Sequence, residues 1–428
     1  MKFLRLAAIG CAAVALTLIS GCGDVFRPVA TPLPQPAPDP QNFRLAVFTS
    51  CQFTTSNSDP NNPCSAATTS QASDLNVSGD TIEGVVPVGQ APVFALVENS
   101  AGFVVTVTTV DYAGDTITRH TDTHSLTTPI TSSISAATTI GLPQGARPIS
   151  VVDVNGTLYV VENGRNRLAA VGGSPVALTN EIQVGNAPVN VTALPNSKEL
   201  YVVNQGDGTV TVIATADGSL LATVPVGTKP VWAVPSADSS RVFVINHDSG
   251  NVSVIDATSH TVIATLTVGT SPNYAVFDAK NQRVLVTNSG SNSLSVINGD
   301  PTSPAFKTVT NVNVGANPRS VTALADGTRV YVANTGSNSV SVINSLNLAV
   351  TKTVPVGTTP VWIASDGASA KVLTANRDSQ NVSVILTSSD SELTDGTGNP
   401  QRISTPQVDP TCTSSCTHLS PLFIAVGG

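Results

Sequence analysis

Residues 288–297 read NSGSNSLSVI, and residues 334–343 read NTGSNSVSVI. Related phrases begin at Asn246 (NHDSGNVSVI) and Asn376 (NRDSQNVSVI), so the four copies stand 42, 46 and 42 residues apart. A chain that rewrites one phrase at a near-constant interval is built from units stacked side by side, each too small to bury its apolar surface alone. The same constraint accommodates the length. At 428 residues a single central core would be unusual, whereas an array of units grows without one.

A second phrase, Val-Gly-x-x-Pro, marks where each unit opens. It occurs at Gly89 with Pro92, Gly185 with Pro188, Gly227 with Pro230, Gly269 with Pro272, Gly315 with Pro318 and Gly357 with Pro360, with a weaker copy at Gly145 and Pro148. Within one unit lie four short runs rich in Val, Ile and Thr, as in VWAVPSA (231–237), RVFVINH (241–247), NVSVIDA (251–257) and TVIATLTV (261–268). Bounded by Asp, Gly, Ser and Asn, these runs predict four strands of one antiparallel sheet, and no segment shows a helical apolar period. One such sheet per forty-odd residues predicts an all-β chain folded as a β-propeller.

Seven glycines open seven blades. The C-terminal SPLFIAVGG (420–428) looks like a first strand, comparable with TPVWIASDG (359–367), and RLAVFTS (44–50) looks like a second strand. If these termini share a blade, the ring closes with eight blades and hides its sheet edges. The alternative is seven blades with residues 43–84 decorating the outside. The asparagines at 204, 246, 288, 334 and 376 are expected to end the second strands and turn the chain, since Asn tolerates the left-handed conformation. Unit 89–141 lacks this asparagine hairpin, and unit 145–180 has Glu162 in its place.

The motifs Tyr201-Val202-Val203-Asn204 and Tyr331-Val332-Ala333-Asn334, followed by the repeated hairpin phrase and VG-x-x-P, resemble the YVTN family of β-propeller repeats, found in surface-layer and other exported proteins. The resemblance spans about residues 85–388 and implies the fold more specifically than any function. Propellers of this kind are also similar to quinoprotein dehydrogenase heavy chains and to lactonases, so a propeller enzyme is the alternative reading. The chain contains no H-E-x-x-H, no G-x-S-x-G and no phosphate-binding glycine loop. A scaffold that binds protein or glycan, with no cofactor, is therefore favoured over catalysis.

Residues 1–21 begin with Lys2 and Arg5, continue through an apolar run from Leu6 to Ile19, and reach Ile19-Ser20-Gly21-Cys22. This resembles a bacterial lipoprotein signal peptide with its lipobox, which implies removal of residues 1–21 and lipidation of Cys22. Residues 22–42 carry prolines at 28, 32, 34, 36, 38 and 40. They are expected to form an extended tether of about 3 Å per residue, ahead of a propeller domain at 43–428. Gly23 stands where an aspartate would imply inner-membrane retention, so the expected address is the outer membrane, with the lipid as membrane contact and an envelope protein or glycan as partner. The chain is expected to be a monomer. Loss of Lys2 and Arg5 leaves 18 basic against 28 acidic residues, a net charge of −10, which argues against a nucleic-acid partner.

With Cys11 and Cys22 set aside, four cysteines remain in an exported chain, and short separations favour the disulfides Cys51–Cys64 and Cys412–Cys416, with cross-pairing left open. A metal site from Cys412, Cys416 and His418 is disfavoured, because an oxidising compartment consumes the thiols. His120 and His124 would lie together on a helix but not on a strand, so no metal constellation is expected.

The residue two after each repeat proline reads Phe94, Ser150, Asn190, Trp232, Tyr274, Ser320 and Trp362, whereas its successor is always apolar. Trp232, Tyr274 and Trp362, with Asn273 and Arg319 one position earlier in their blades, are the candidate ligand-binding residues. They would line the channel mouth and offer rings to a sugar or peptide. Wedging of the same rings between blades is the competing expectation. Glu162, with Arg165 and Arg167 on its hairpin, is expected either to form an exposed ion pair or to serve the function.

Overall fold

The computed structural model describes residues 45–54, 64–65, 69–77, 79–100, 104–125, 131–366, 370–408 and 418–427. The expected leader, Cys22, the tether, Cys412 and Cys416 lie outside these residues. Eight antiparallel sheets make up the propeller, and no helix occurs among the described residues. Blade 1 joins the two ends of the chain: its inner strand is Ser420–Val426, followed outward by Leu45–Cys51, Ser70–Asn76 and Thr81–Val88. The other blades follow in chain order, starting at Pro92, Pro148, Pro188, Pro230, Pro272, Pro318 and Pro360 (blades 2 to 8). Each inner strand touches the next, and Ser420–Val426 sits between those of blades 8 and 2. Leu45–Cys51, Ser70–Asn76 and Thr81–Val88 are thus three strands of an eighth blade, which removes the seven-bladed alternative.

Burial explains why the strands read as apolar runs. In blade 5 the second strand Arg241–Asn246 and third strand Asn251–Asp256 are buried except at their ends, while the outer strand Thr261–Thr267 alternates exposed and half-buried. Neighbouring blades cover both faces of the middle strands, so polar alternation survives only at the rim. The apolar clusters accordingly draw on neighbouring blades. Tyr201 and Val203 of blade 4 pack with Val242 and Val244 of blade 5, and Phe243 and Ile245 of blade 5 with Val284 and Val286 of blade 6.

The asparagine column does a different job from the one expected. The residues with positive φ are Asn292, Asn338 and Gln380, together with Gly208 and Gly250, each four positions after a column asparagine. The column residues themselves end their strands fully buried and clamp the hairpin. Asn246 Nδ2 lies 2.8 Å from Asn251 Oδ1 and 3.0 Å from Ser253 Oγ, and Asn204, Asn288, Asn334 and Asn376 reach the same two positions of their own third strands. The Val-Gly-x-x-Pro glycine packs on this amide. A Cβ on Gly269 would fall 2.2 Å from Ser291 Oγ and 2.7 Å from Asn288 Cγ, and Gly185, Gly227, Gly315 and Gly357 are enclosed in the same way. The two halves of the repeat are therefore one contact: a buried amide needs a residue without a side chain above it.

Blade 2 keeps this clamp with a carboxylate. Asp111 occupies the column and accepts hydrogen bonds from Thr116 at 3.0 Å and Thr118 at 2.7 Å, the same offsets that asparagine uses elsewhere, so the hairpin is present after all. Two contacts tie the closing blade. Cys51 and Cys64 form the expected disulfide, with Cα atoms 5.6 Å apart. Lys371 of blade 8 reaches Asp80 of blade 1 at 2.7 Å and the carbonyl of Val77 at 2.7 Å, with side-chain exposures of only 11% and 5% for the ion pair.

Replacing Asn288 by Ala leaves serine hydroxyls buried without the amide and should cost about 1–3 kcal/mol. Gly269→Ala forces the same amide aside and should cost at least as much. Urea unfolding of the two variants measures both; a Gly269→Ala variant as stable as the wild type would show that the packing of glycine on amide is dispensable.

Candidate functional site

Each inner strand opens on its repeat proline, and a bulge separates that proline from the residue two positions on. The C-terminal strand obeys the same register, with Pro421 as its proline and Phe423 as its counterpart of Trp362. Five of these eight positions carry rings, and the rings meet. Trp232 and Tyr274 have centroids 4.9 Å apart, Tyr274 and Trp362 4.8 Å, Trp362 and Phe423 4.3 Å, and Phe423 and Phe94 4.6 Å. Tyr274 and Trp362 belong to blades 6 and 8 and touch because blade 7 contributes only Ser320 between them. At the small positions a polar atom serves the next blade instead: Asn190 Oδ1 accepts from the amide of Ala233 at 3.1 Å, and Ser320 Oγ from that of Ile363 at 3.4 Å.

The rings expected to receive a ligand thus stand half-buried against one another and against the interblade cores. Burial raises the pKa of the Tyr274 phenol well above its usual value. Asn273 is tied into the frame, accepting from Thr287 Oγ1 at 2.6 Å and reaching the carbonyl of Pro318 at 3.4 Å.

Arg319 differs from all of these. It is exposed, yet makes no hydrogen bond or ion pair among the described residues, and its pKa is lowered by desolvation and then by the charge of Arg377. Arg377 follows the column residue Asn376, holds Asp378 at 2.7 Å through Nε, and lies 4.1 Å over the ring of Phe53. The structure therefore brings two guanidiniums from blades 7 and 8 near each other, only one of which has a carboxylate.

Glu162 is not an exposed ion pair. It is fully buried in the column position of blade 3, bonds to Arg165 at 2.9 Å, and Arg165 also holds Glu181, while Arg167 is only its cross-strand neighbour. Burial first, then the Glu181 carboxylate, pushes the Glu162 pKa up to about 7, against the opposing pull of Arg165.

The histidine expectation is also corrected. On a strand, alternate residues share a face, so His120, Asp122 and His124 of the strand Thr116–Ser125 line one side together. They face Asp74 and Glu83 of blade 1. His120 Nε2 lies 3.0 and 2.9 Å from the two Asp74 oxygens, with neither side chain exposed, and His124 Nε2 lies 3.0 Å from Glu83. Glu83, Asp122 and His124 form a group able to hold a metal ion, where no metal constellation was expected. The missed signal was columnar. Counted from Asp111, His120 falls where the other blades place Ile213, Ile255, Ile297, Ile343 and Ile385, and only the Asp111 anchor reveals this. His418 belongs to a different contact, with its Nδ1 against the carbonyl of Thr405.

Taken together, the ring of four-stranded blades and the aromatic inner wall define an eight-bladed β-propeller. Residues 214–395 match the family model of the YNCE-like beta-propeller. No curated protein sequence matches the chain. Among solved structures it is similar to AztD from Citrobacter koseri, at 12% identity over 90% of this chain and 98% of that one, with a TM-score of 0.61. It is also similar to hydrazine synthase from Kuenenia stuttgartiensis, at 16% identity over 69% and 95%, TM-score 0.53. A putative 6-phosphogluconolactonase from Bacteroides fragilis aligns at 12% identity over 91% and 99%, TM-score 0.52. At these identities the likenesses speak for the fold alone.

Two outcomes are expected here. Trp362→Ala should lower stability by about 3 kcal/mol, since it removes a ring packed on two others and on the core between blades 8 and 1; an unchanged melting temperature would show that the ring is not structural. Glu162 has a folded pKa above its unfolded one, so its charged form is the penalised form. Its penalty is absent below the unfolded pKa and grows as pH rises toward about 7. Melting curves from pH 4 to 8 should therefore fall more steeply for the wild type than for Glu162→Gln, and parallel curves would contradict the assignment.

Proposed function

We propose that this protein is an exported lipoprotein of the bacterial cell envelope, anchored through Cys22, whose propeller is a binding scaffold for an anionic group on a protein or glycan partner. The observation that carries the reading is Arg319. An exposed guanidinium without a carboxylate, held near a second arginine, is electrostatically incomplete. An acidic ligand group would supply the missing charge and accept bidentate hydrogen bonds from its planar fork. The half-buried rings of Trp232, Tyr274 and Trp362 support the reading as a rigid apolar floor for the ligand's uncharged part. The leader and the proline-rich tether would hold this face away from the membrane surface.

Binding of acidic and neutral oligosaccharides, and of an acidic peptide, to the wild type and to Arg319→Ala tests the reading. Acidic ligands should bind in a salt-sensitive manner and lose about tenfold or more in affinity with Arg319→Ala, the cost of one charge-assisted bond. Equal binding by both proteins would remove Arg319 from the site. Fatty-acid labelling that persists in Cys22→Ser would remove the anchor.

A further inference from the structure

We propose that Glu83, Asp122 and His124 bind a divalent transition-metal ion that pins blade 1 to blade 2. Their ligand atoms lie within 4.8 Å of one another, on two blades that share no strand. His124 Nε2 is 3.0 Å from Glu83 Oε2 and 3.3 Å from Asp122 Oδ1. Zinc-like ions take nitrogen and oxygen ligands at about 2.0–2.2 Å in tetrahedral sites, which sets neighbouring donors about 3.3 Å apart. The observed separations suit a shared ion.

Hydrogen bonding alone does not satisfy this cluster. The Asp122 side chain is completely buried, and neither of its oxygens receives a well-aligned hydrogen bond. A single Nε2 carries at most one proton, so His124 cannot donate to both carboxylates that it faces. The charges acting on Asp122 are those of His124, Asp74 and Glu83, with no lysine or arginine among them. Two carboxylates and one imidazole, with the Asp74 carboxylate close by, make an anionic donor set of the kind that a divalent cation balances. The outer ligands are already arranged for this: Asn76 Nδ2 donates to Glu83 Oε1 at 2.7 Å, leaving Oε2 turned to His124. Imidazole with two carboxylates suits zinc, manganese, iron or cobalt.

The position gives the ion its role. Elsewhere the interblade layers are apolar through the third strands, but here Asp74 and His120 replace the usual valine and isoleucine, and the apolar cluster is reduced to Leu45, Val47, Ala72, Val105 and Val107. A groove of about 750 Å³, lined by Gly84–Gly89 and by residues of Ile134–Thr139, begins at the residue after Glu83. Glu83 is also the least buried of the three, at 16% side-chain exposure.

The test uses the full chain stripped of metal by a chelator and dialysed. Titration calorimetry with Zn²⁺, and with Co²⁺ read by its ligand-field absorption, should give one site with a dissociation constant below about 1 µM and raise the melting temperature by several degrees at saturation. Asp122→Asn and His124→Gln should each weaken that binding at least 100-fold. Chelated Asp122→Asn should melt no lower than chelated wild type, because it removes a buried charge without changing shape. Failure of the wild type to bind either ion below about 100 µM would overturn the proposal. So would binding of equal strength in either variant that folds, since the ion would then lie on other histidines or thiols.

Discussion

The middle strands of every blade are covered on both faces by neighbouring blades, and that constraint governs the rest. A sheet buried on one side can end a domain, but a sheet buried on both sides needs two neighbours, so the series must return on itself. The chain meets this requirement by building one blade from both termini, with Ser420–Val426 paired along Leu45–Cys51. Closure by hydrogen bonding pairs the edge of Leu45–Cys51 that another chain could otherwise extend. The Lys371–Asp80 contact from blade 8 ties the same blade to its neighbour, at the position where Glu199 with His260 and Arg329 with Asp390 link other pairs of blades.

The blade itself is specified by a second constraint. The fully buried amide of Asn246 or Asn288 binds two positions of the next strand and leaves room for nothing larger than glycine over it. This couples residues from successive stretches of the repeat, which is why the hairpin phrase and the Val-Gly-x-x-Pro phrase recur together. The turn proper is delegated to the residue four positions later, glycine in two blades and asparagine or glutamine in three.

The repeat made most of the fold legible, because periodic strands of Val and Ile have one common solution at forty-odd residues, and the strand-like ends at 44–50 and 420–428 matched the missing positions of a blade. The role of the asparagine was not legible, since Asn serves equally as a left-handed residue and as a buried amide, and only its depth decides between them. The site was read in part. Aromatic positions can be found by counting from the proline, but that Tyr274 meets Trp362 over blade 7 depends on the smallness of Ser320, a property of the closed ring. The cluster at His120 and His124 was hidden because blades 1 and 2 depart from the repeat, and because charged residues gathered from separate strands leave no local spacing.

The departures from the repeat are themselves ordered. Blades 4 to 8 keep the amide clamp and the apolar third strand, and it is in blades 1 to 3 that ionisable groups enter the second and third strands in buried positions: Asp74, Asp111, His120, Asp122 and Glu162. Placing a charge in a buried position costs stability unless something compensates it. For Asp111 the compensation is three threonine hydroxyls, yet burial still raises its pKa to about 6. For Glu162 it is Arg165. For Asp74 it is His120, through both oxygens. Asp122 has only His124, at 3.3 Å and shared with Glu83. Counted from the column residue, the other blades place Thr215, Ala257, Gly299, Ser345 and Thr387 at the position of Asp122, none of them charged, so a carboxylate retained there is best accounted for by a cation that the polypeptide does not itself supply.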